Sequence, residues 1–158
     1  MEITEIVNIL NRFGAFNVRH SGRSLGDHLL NTYELLIEWN APKSACLGGA
    51  FHSIYGTNVF TNKIIDTSNR LEVSSIIGRD VENLVYLFSI TNRPKGIDSG
   101  QLINYKTGEL LEVTPTILHN LRLIEIANLL EQKCSIARFS NLYKIYQEIK
   151  QNKHCAII

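Results

Sequence analysis

The chain has 158 residues, of which 44% are hydrophobic and 20% charged, and its 16 basic and 15 acidic residues give a formal net charge of +1. This length suits one packed domain, and the balanced charge argues against a nucleic-acid binder that relies on phosphate neutralisation. No apolar run approaches the roughly 20 residues that span a bilayer, and the acidic start MEITEIVNIL lacks the basic region of a signal peptide. We therefore expect a cytoplasmic protein with no transmembrane segment.

The cysteines favour the same compartment. Cys46, Cys134 and Cys155 are an odd number and show no C-x-x-C spacing, which is typical of free thiols in a reducing environment. The last four residues, Cys155 to Ile158, also fit the C-a-a-X outline for prenylation. Because the preceding KQNKH is only weakly basic and makes a poor second membrane signal, we favour a frayed tail over residues 153–158.

The first half of the chain predicts three helices. ITEIVNILNRFG has apolar residues at helical spacing and ends at Gly14. SLGDHLLNTYELLIEWN opens with Ser24 and has Asp27 three positions later, a capping-box pattern. The third segment, PKSACLGGAFHSIYG, begins at Pro42 and is rich in small residues, which permit a neighbouring helix to approach closely.

The second half predicts shorter helices and one hairpin. RLEVSSIIG and DVENLVYLFSITN read as two helices, NRPKGIDSG as a loop, and QLINY and ELLEV as a small β-hairpin near 101–113. Thr114 and Pro115 then begin a long helix, and SNLYKIYQEIK is the last. The predicted fold is therefore mostly α, a single domain over residues 1–152 with about six or seven helices.

Two histidines lie near helix ends and beside small residues. His28 and His52 fall on consecutive antiparallel helices, so their side chains can converge. Neutral imidazole is the commonest protein ligand for borderline metals such as Mn, Fe or Zn. Two histidines alone are an incomplete site, since a catalytic ion usually takes three protein ligands, and a buried core histidine is the alternative interpretation.

The spacing around these histidines resembles a known family. Arg19-x-Ser21-Gly22-x5-His28, then 23 residues, then His52, resembles the front half of an HD-type domain, and in particular the alarmone-hydrolase domain of the RelA/SpoT family. LEVSSIIGRDVENLVYLF and LRLIEIANLLEQ resemble later helices of that domain, so the similarity extends to Gln132. The HSxYGT form is also similar to a set of uncharacterised HD-like proteins. The resemblance implies an HD-like helical fold and a metal held by His28 and His52.

The chain departs from that family chiefly by the loss of four carboxylates. By resemblance, Ser53 stands at the aspartate of the HD pair, Gly56 and Thr57 at the catalytic Glu-Asp pair, and Asn128 at the remaining aspartate ligand. Neutral oxygens hold divalent ions less strongly than carboxylates do, so we expect a weakened metal site or none. The lost acids would also have positioned the attacking water, and we therefore do not expect alarmone hydrolysis.

Other residues are candidates for a retained pocket. The resemblance places Arg19 against a purine base or sugar. Ser21, in the same motif, and Gln132, which by resemblance stands at an asparagine, are further candidates for ligand binding. His20 precedes the helix of His28, and Tyr55 follows His52 by three, one helical turn. A solvated loop arginine and a tyrosine at the edge of the core are the alternatives. The candidates for chemistry within the pocket are His52, Ser53, Tyr55 and Asn128.

Three functions remain open at this stage. One is a degenerate HD-like domain that binds a nucleotide-like or other small polar ligand between His28 and His52. Another is a metal-dependent enzyme, a phosphohydrolase or oxygenase, in which an unrecognised third ligand joins the two histidines. The last is a protein-interaction scaffold, which a filled, apolar pocket would favour over the other two.

Overall fold

A computed structural model describes residues 1–155 and confirms a mostly helical fold. In this part of the chain there are eight α-helices, two short 3-10 turns and one two-stranded antiparallel sheet. The helices are α1 (Ile3–Arg12), α2 (Leu25–Glu38), α3 (Lys43–Phe51), α4 (Arg70–Ile77), α5 (Arg79–Ile90), α6 (Lys95–Ser99), α7 (Pro115–Glu131) and α8 (Ser140–Cys155), and the strands are β1 (Arg19–His20) and β2 (Arg23–Ser24).

The centre of the molecule is formed by α2, α3, α5 and α7, which pack on one another. Their apolar side chains form two hydrophobic clusters. One surrounds Phe88 and Ile124, and the other surrounds Leu29 and Phe51, all four of which are fully buried. None of the helices in residues 1–155 is both long and apolar enough to traverse a lipid bilayer.

The small residues of α3 allow its close contact with its neighbours, as the sequence predicts. A Cβ added at Gly49 would lie 2.4 Å from a methyl carbon of Leu36 on α2. At Gly48 it would lie 2.7 Å from a methyl carbon of Ile124 on α7. A larger side chain would displace the ends of the Leu36 and Ile124 side chains, so the glycines allow α3 and its C-terminal His52 to lie close to α2 and α7.

The start of α2 is set by a hairpin and a capping box. β1 and β2 pair through Arg19 with Ser24 and His20 with Arg23, and the turn between them holds Ser21 and Gly22 at φ +47° and +87°. This left-handed pair is the geometry of a tight two-residue hairpin. The Ser24 side chain then accepts from the backbone N–H of Asp27, which confirms the predicted cap. The hairpin thereby fixes His20 beside the first turn of α2.

Three expectations need correction or qualification. The segment predicted as a loop, NRPKGIDSG, contains α6. Between 101 and 113 the chain does reverse, but through an isolated antiparallel bridge, Ile103 with Leu110, while the paired strands lie at 19–24. Helix α8 continues to Cys155, so the predicted tail begins as helix, and the remainder of the C-a-a-X motif, residues 156–158, lies outside the described residues.

Candidate ligand and metal site

The structure brings the two predicted histidines into direct contact. His28 lies in the first turns of α2 and His52 immediately after α3, and both are 0% exposed. Their Nε2 atoms are 3.1 Å apart, with the rings nearly perpendicular at 77°. The antiparallel packing of α2 against α3 therefore produces the convergence that the sequence predicts.

Hydrogen bonds fix the tautomer of each ring. His28 Nδ1 lies 2.5 Å from a carboxylate oxygen of Glu131, and His52 Nδ1 lies 2.8 Å from the carbonyl oxygen of Gly49. Both partners are acceptors, so each Nδ1 carries a proton and donates it. In the neutral rings both Nε2 atoms then present lone pairs to one another. A proton or a metal cation between them would relieve this repulsion.

Asn128 and Gln132 extend the site from α7. Asn128 Oδ1 lies 3.2 Å from His52 Nε2 and accepts a hydrogen bond from Gln132 Nε2 at 2.9 Å. Ser21 Oγ donates to Gln132 Oε1 at 3.5 Å, which links the hairpin to the end of α7. Asn128 Nδ2 is buried and has no hydrogen-bond partner among the described residues. Four of the predicted residues thus join His28 in one polar network.

A carboxylate that the sequence interpretation missed lies directly behind His28. The side chain of Glu131 is only 4% exposed, and it accepts hydrogen bonds from Arg23, Asn31 and His28. Burial raises its pKa, but these hydrogen bonds outweigh burial and lower the pKa to about 2. The sequence indicates only lost carboxylates near the two histidines, and this one, which lies behind His28 and outside the cavity lining, was not predicted. The available signal was spacing, since Glu131 follows Asn128 by three on one side of α7.

His20 is the third imidazole of the site. Its ring packs on His28 at a centroid distance of 4.3 Å and meets the ring of Phe60 edge-on at 4.5 Å. Burial, together with the positive charge of Arg23, lowers its pKa to about 4, so the ring is neutral at pH 7. Its Nε2 atom is buried and lacks a hydrogen-bond partner in the described part of the chain.

A cavity of about 410 Å³ lies over this network. No aspartate or glutamate occurs among the described residues that line it, while Arg19 and Arg138 are exposed there and form no ion pair within residues 1–155. His28 and His52 do not line the cavity themselves but contact lining residues. The lining consists of Arg19, His20, Ser21, Ser53, Val59, Phe60, Arg93, Pro94, Asn128, Leu129, Gln132, Cys134 and Arg138.

Arg93 lies at the base of this cavity and was not predicted. It is 8% exposed and forms a bidentate ion pair with Glu125, with distances of 2.7 and 2.9 Å. Its third nitrogen donates to Thr57 Oγ1 at 3.3 Å, and its guanidinium lies 4.5 Å from the ring of Phe88, which in turn packs against His52. The carboxylate of Glu125 is therefore fully engaged by Arg93.

Gly56 and Thr57 have structural roles in the loop that forms one cavity wall. Gly56 has φ +73°, and a Cβ at this position would lie 3.2 Å from the carbonyl oxygens of Phe60 and Thr61. Thr57 Oγ1 accepts from the backbone N–H groups of Val59 and Phe60. The residues at which the resemblance implies an acid pair thus shape the loop that holds Val59 and Phe60 at the cavity.

The structure does not bring Tyr55 to the cavity. Helix α3 ends at Phe51, so the helical spacing that would have aligned Tyr55 with His52 does not continue. Its hydroxyl instead donates to Glu82 at 3.0 Å. Burial and the adjoining Glu82 carboxylate raise the pKa of Tyr55. Ser53, by contrast, lines the cavity as predicted and is 3% exposed.

The donor atoms that could hold a metal are few. His28 Nε2, His52 Nε2 and Asn128 Oδ1 lie close together with lone pairs available, and hydrogen bonds at both Nδ1 atoms match the way metal-bound histidines are normally held. No cluster of three or more His, Cys, Asp or Glu that could bind a metal occurs within the described residues. All three of these donor atoms are neutral.

Comparisons with known proteins give one match. No curated protein and no solved structure matches the chain. Residues 9–93, just over half of the chain, match the model of a family described as "Domain of unknown function (DUF6817)". The matched region includes the hairpin, both central histidines, the Gly56–Thr57 loop and Arg93, whereas Asn128 and Glu131 lie beyond it. The chain belongs to this family of domains.

Proposed function

We propose that this protein is a divergent HD-like domain that binds a small, anionic, nucleotide-like ligand in the cavity over His28 and His52. In this proposal the metal site of the resembled family is weakened by the loss of its carboxylate ligands. The observation that carries the proposal is the cavity lining, which contains no acid and includes polar groups that the fold leaves uncommitted.

The uncommitted polar groups support a role beyond stability. His20 Nε2 and Asn128 Nδ2 are buried on cavity-lining residues, and neither has a hydrogen-bond partner in residues 1–155. An unsatisfied buried polar group costs roughly 1–3 kcal/mol of folding free energy. An apolar residue at either position would avoid that cost, so a bound ligand is the better explanation for polar residues there.

The charge and shape of the cavity favour an anion attached to a planar group. Arg19 and Arg138 supply positive charge without a carboxylate beside them in the lining. Apolar surface comes from Val59, Phe60 and Leu129, and guanidinium and aromatic groups both stack on heterocycles. A volume of about 410 Å³ is within the usual range for small-molecule sites.

Calorimetric titration with adenosine and guanosine monophosphates, compared with inorganic phosphate, tests the proposal. We expect a nucleotide to bind and to raise Tm, and Arg138→Gln to weaken its binding about tenfold, because a hydrogen bond to a charged group contributes roughly 1.5 kcal/mol or more. Arg12→Gln is the matched control, since Arg12 is exposed and pairs with Glu72 away from the cavity lining. Absence of binding, or equal losses in both variants, would contradict the proposal.

A metal-dependent enzyme is the second candidate, and the convergence of three lone-pair atoms favours it. His28 and His52 would hold the ion, with Asn128, which by resemblance stands at an aspartate ligand, as the third ligand. The ion would supply Lewis acidity toward a substrate oxygen in the cavity. Metal analysis of protein purified without chelators separates the candidates. One tightly held Mn, Fe or Zn per chain, lost in His52→Ala, supports the enzyme and overturns the metal-poor proposal.

A further inference from the structure

The central histidine pair is separated from the cavity that lies over it. His28 and His52 are 0% exposed, and neither lines the cavity. His20 does line it, and its ring packs on His28 at a centroid distance of 4.3 Å. The ring of Phe60, also in the lining, meets His20 edge-on at 4.5 Å. His20 therefore lies between the cavity and His28, and Phe60 packs against it.

Phe60 belongs to a segment, residues 58–63, that contains no helix or strand and is held mainly at its ends. At the first end, the N–H of Thr57 donates to the carbonyl oxygen of Phe60 at 2.6 Å, and Thr57 Oγ1 accepts from the N–H of Phe60 at 2.9 Å. At the other end, the N–H groups of the next two residues both donate to the carbonyl oxygen of Ile54. The segment can therefore move while its base stays fixed.

The observed position of this segment leaves two buried polar atoms without partners. Nε2 of His20 and Oδ1 of Asn58 accept or donate no hydrogen bond among the described residues. Asn58 keeps one bond, from its Nδ2 to the carbonyl oxygen of Arg93 at 2.9 Å. Thr61 and Asn62 are exposed and form no hydrogen bond in the described part of the chain. Because burying an unpaired polar atom costs free energy, outward movement that admits water would recover part of that cost.

From these contacts we infer that residues 58–63 are a lid over the histidine pair. When the lid moves outward, Phe60 leaves His20, the His20 ring can turn aside, and the cavity opens onto His28 and His52. A small molecule or cation in the cavity then reaches the two Nε2 atoms, which lie 3.1 Å apart. The inference does not depend on which ligand occupies the cavity, so the lid can fail while the proposed function stands, and the reverse.

Acylation of histidines by diethyl pyrocarbonate, mapped by peptide mass spectrometry on the intact chain, tests the lid. The reagent is small and attacks the free lone pair of a neutral imidazole, and the exposed His119 is the internal standard. We expect Phe60→Ala to raise the combined rate at His28 and His52, relative to His119, by at least about tenfold, because loss of the aromatic pair favours the open lid. Ile76→Ala is the control, since Ile76 is partly buried in the same hydrophobic cluster but lies on α4, outside the cavity lining.

Low urea separates lid opening from global unfolding in the wild-type chain. Local opening exposes little surface, so we expect the acylation rate of the pair to change by less than about twofold in about 1 M urea. A rate that follows the unfolding curve, or equal effects of Phe60→Ala and Ile76→Ala, would overturn the lid. A larger acceleration in Asn128→Ala than in Phe60→Ala would overturn it as well, because the route to His52 would then run along α7.

Discussion

One polar cluster begins at Tyr55 and another at His52, three residues earlier in the chain. The two clusters differ in how completely their polar atoms are hydrogen-bonded. In the first cluster, Glu82 is 4% exposed and accepts hydrogen bonds from the hydroxyl of Tyr55 and from two nitrogens of Arg70. Arg70 also lies 3.5 Å above the ring of Tyr86. No side-chain polar atom of Tyr55, Arg70 or Glu82 is among the buried atoms without a partner.

The cluster around His52 is incompletely hydrogen-bonded. It contains the Nε2 atoms of His28 and His52, 3.1 Å apart, and the unpartnered atoms of His20 and Asn128. Buried polar groups in folded proteins are normally hydrogen-bonded, so a fully paired cluster is explained by stability alone. Stability alone does not explain the incompletely hydrogen-bonded cluster around His52. This difference is the physical reason for placing function at His52 and structure at Tyr55.

The largest expected effect comes from breaking the paired cluster. Glu82→Ala leaves Arg70 and Tyr55 without their acceptor, and we expect the free energy of unfolding to fall by about 3 kcal/mol, the lower end for a disrupted buried ion pair because Arg70 is one-third exposed. Tyr55→Phe, which leaves the Arg70–Glu82 pair intact, should cost only about 1 kcal/mol. Urea denaturation measures both. A loss in Glu82→Ala no larger than in Tyr55→Phe would contradict the structural role.

The second-largest expected effect comes from adding a carboxylate to the incompletely hydrogen-bonded cluster around His52. Asn128→Asp places a carboxylate next to His52, and we expect affinity for Mn²⁺ or Zn²⁺ to rise by at least about tenfold, since an anionic ligand replaces a neutral one. Asn120→Asp, another buried position on α7, is the control and should leave metal affinity unchanged. If titration shows no gain in Asn128→Asp, the two histidines are not arranged for a metal.

The smallest effect is a dependence of stability on pH. The pKa of His20 is about 4 in the fold, below its usual value of 6.5, so between these values the unfolded chain binds more protons and stability falls as pH falls. Burial also lowers the pKa of His52, which acts in the same direction. We expect a loss on the order of 1 kcal/mol or more between pH 6.5 and 4, seen as a fall in Tm of roughly 2–4 °C per kcal/mol. In His20→Asn this fall should be smaller, whereas an unchanged slope would show that His20 is not buried as a neutral ring.

Local signals in the sequence were sufficient for most helices. Ser24 with Asp27 and Thr114 with Pro115 are caps whose chemistry acts within one turn, and the structure confirms both. The helix within NRPKGIDSG was missed because it is only five residues long, so its apolar residues cannot show a helical period. The β1–β2 hairpin was missed for the same reason, since each strand has two residues.

The candidate site was only partly predictable, because its pairing depends on distant segments. Spacing and resemblance identified His28, His52 and Asn128. Spacing places Glu131 on the same side of α7 as Asn128, but its partners lie about 100 residues earlier in the chain, and only the fold shows them. Arg93 was not predicted as a site residue either, because only the fold shows that it forms an ion pair with Glu125.

The left-handed turn at Gly56 limits how this domain can change. A glutamate introduced there would need a backbone conformation that residues with side chains rarely adopt, and its Cβ would press against two carbonyl oxygens. An acid at 57 would remove the hydroxyl that receives two backbone amides and Arg93. Introducing the Glu-Asp pair of the resembled family therefore demands a rebuilt loop rather than two point substitutions, which makes the present arrangement a poor starting point for engineering such a pair.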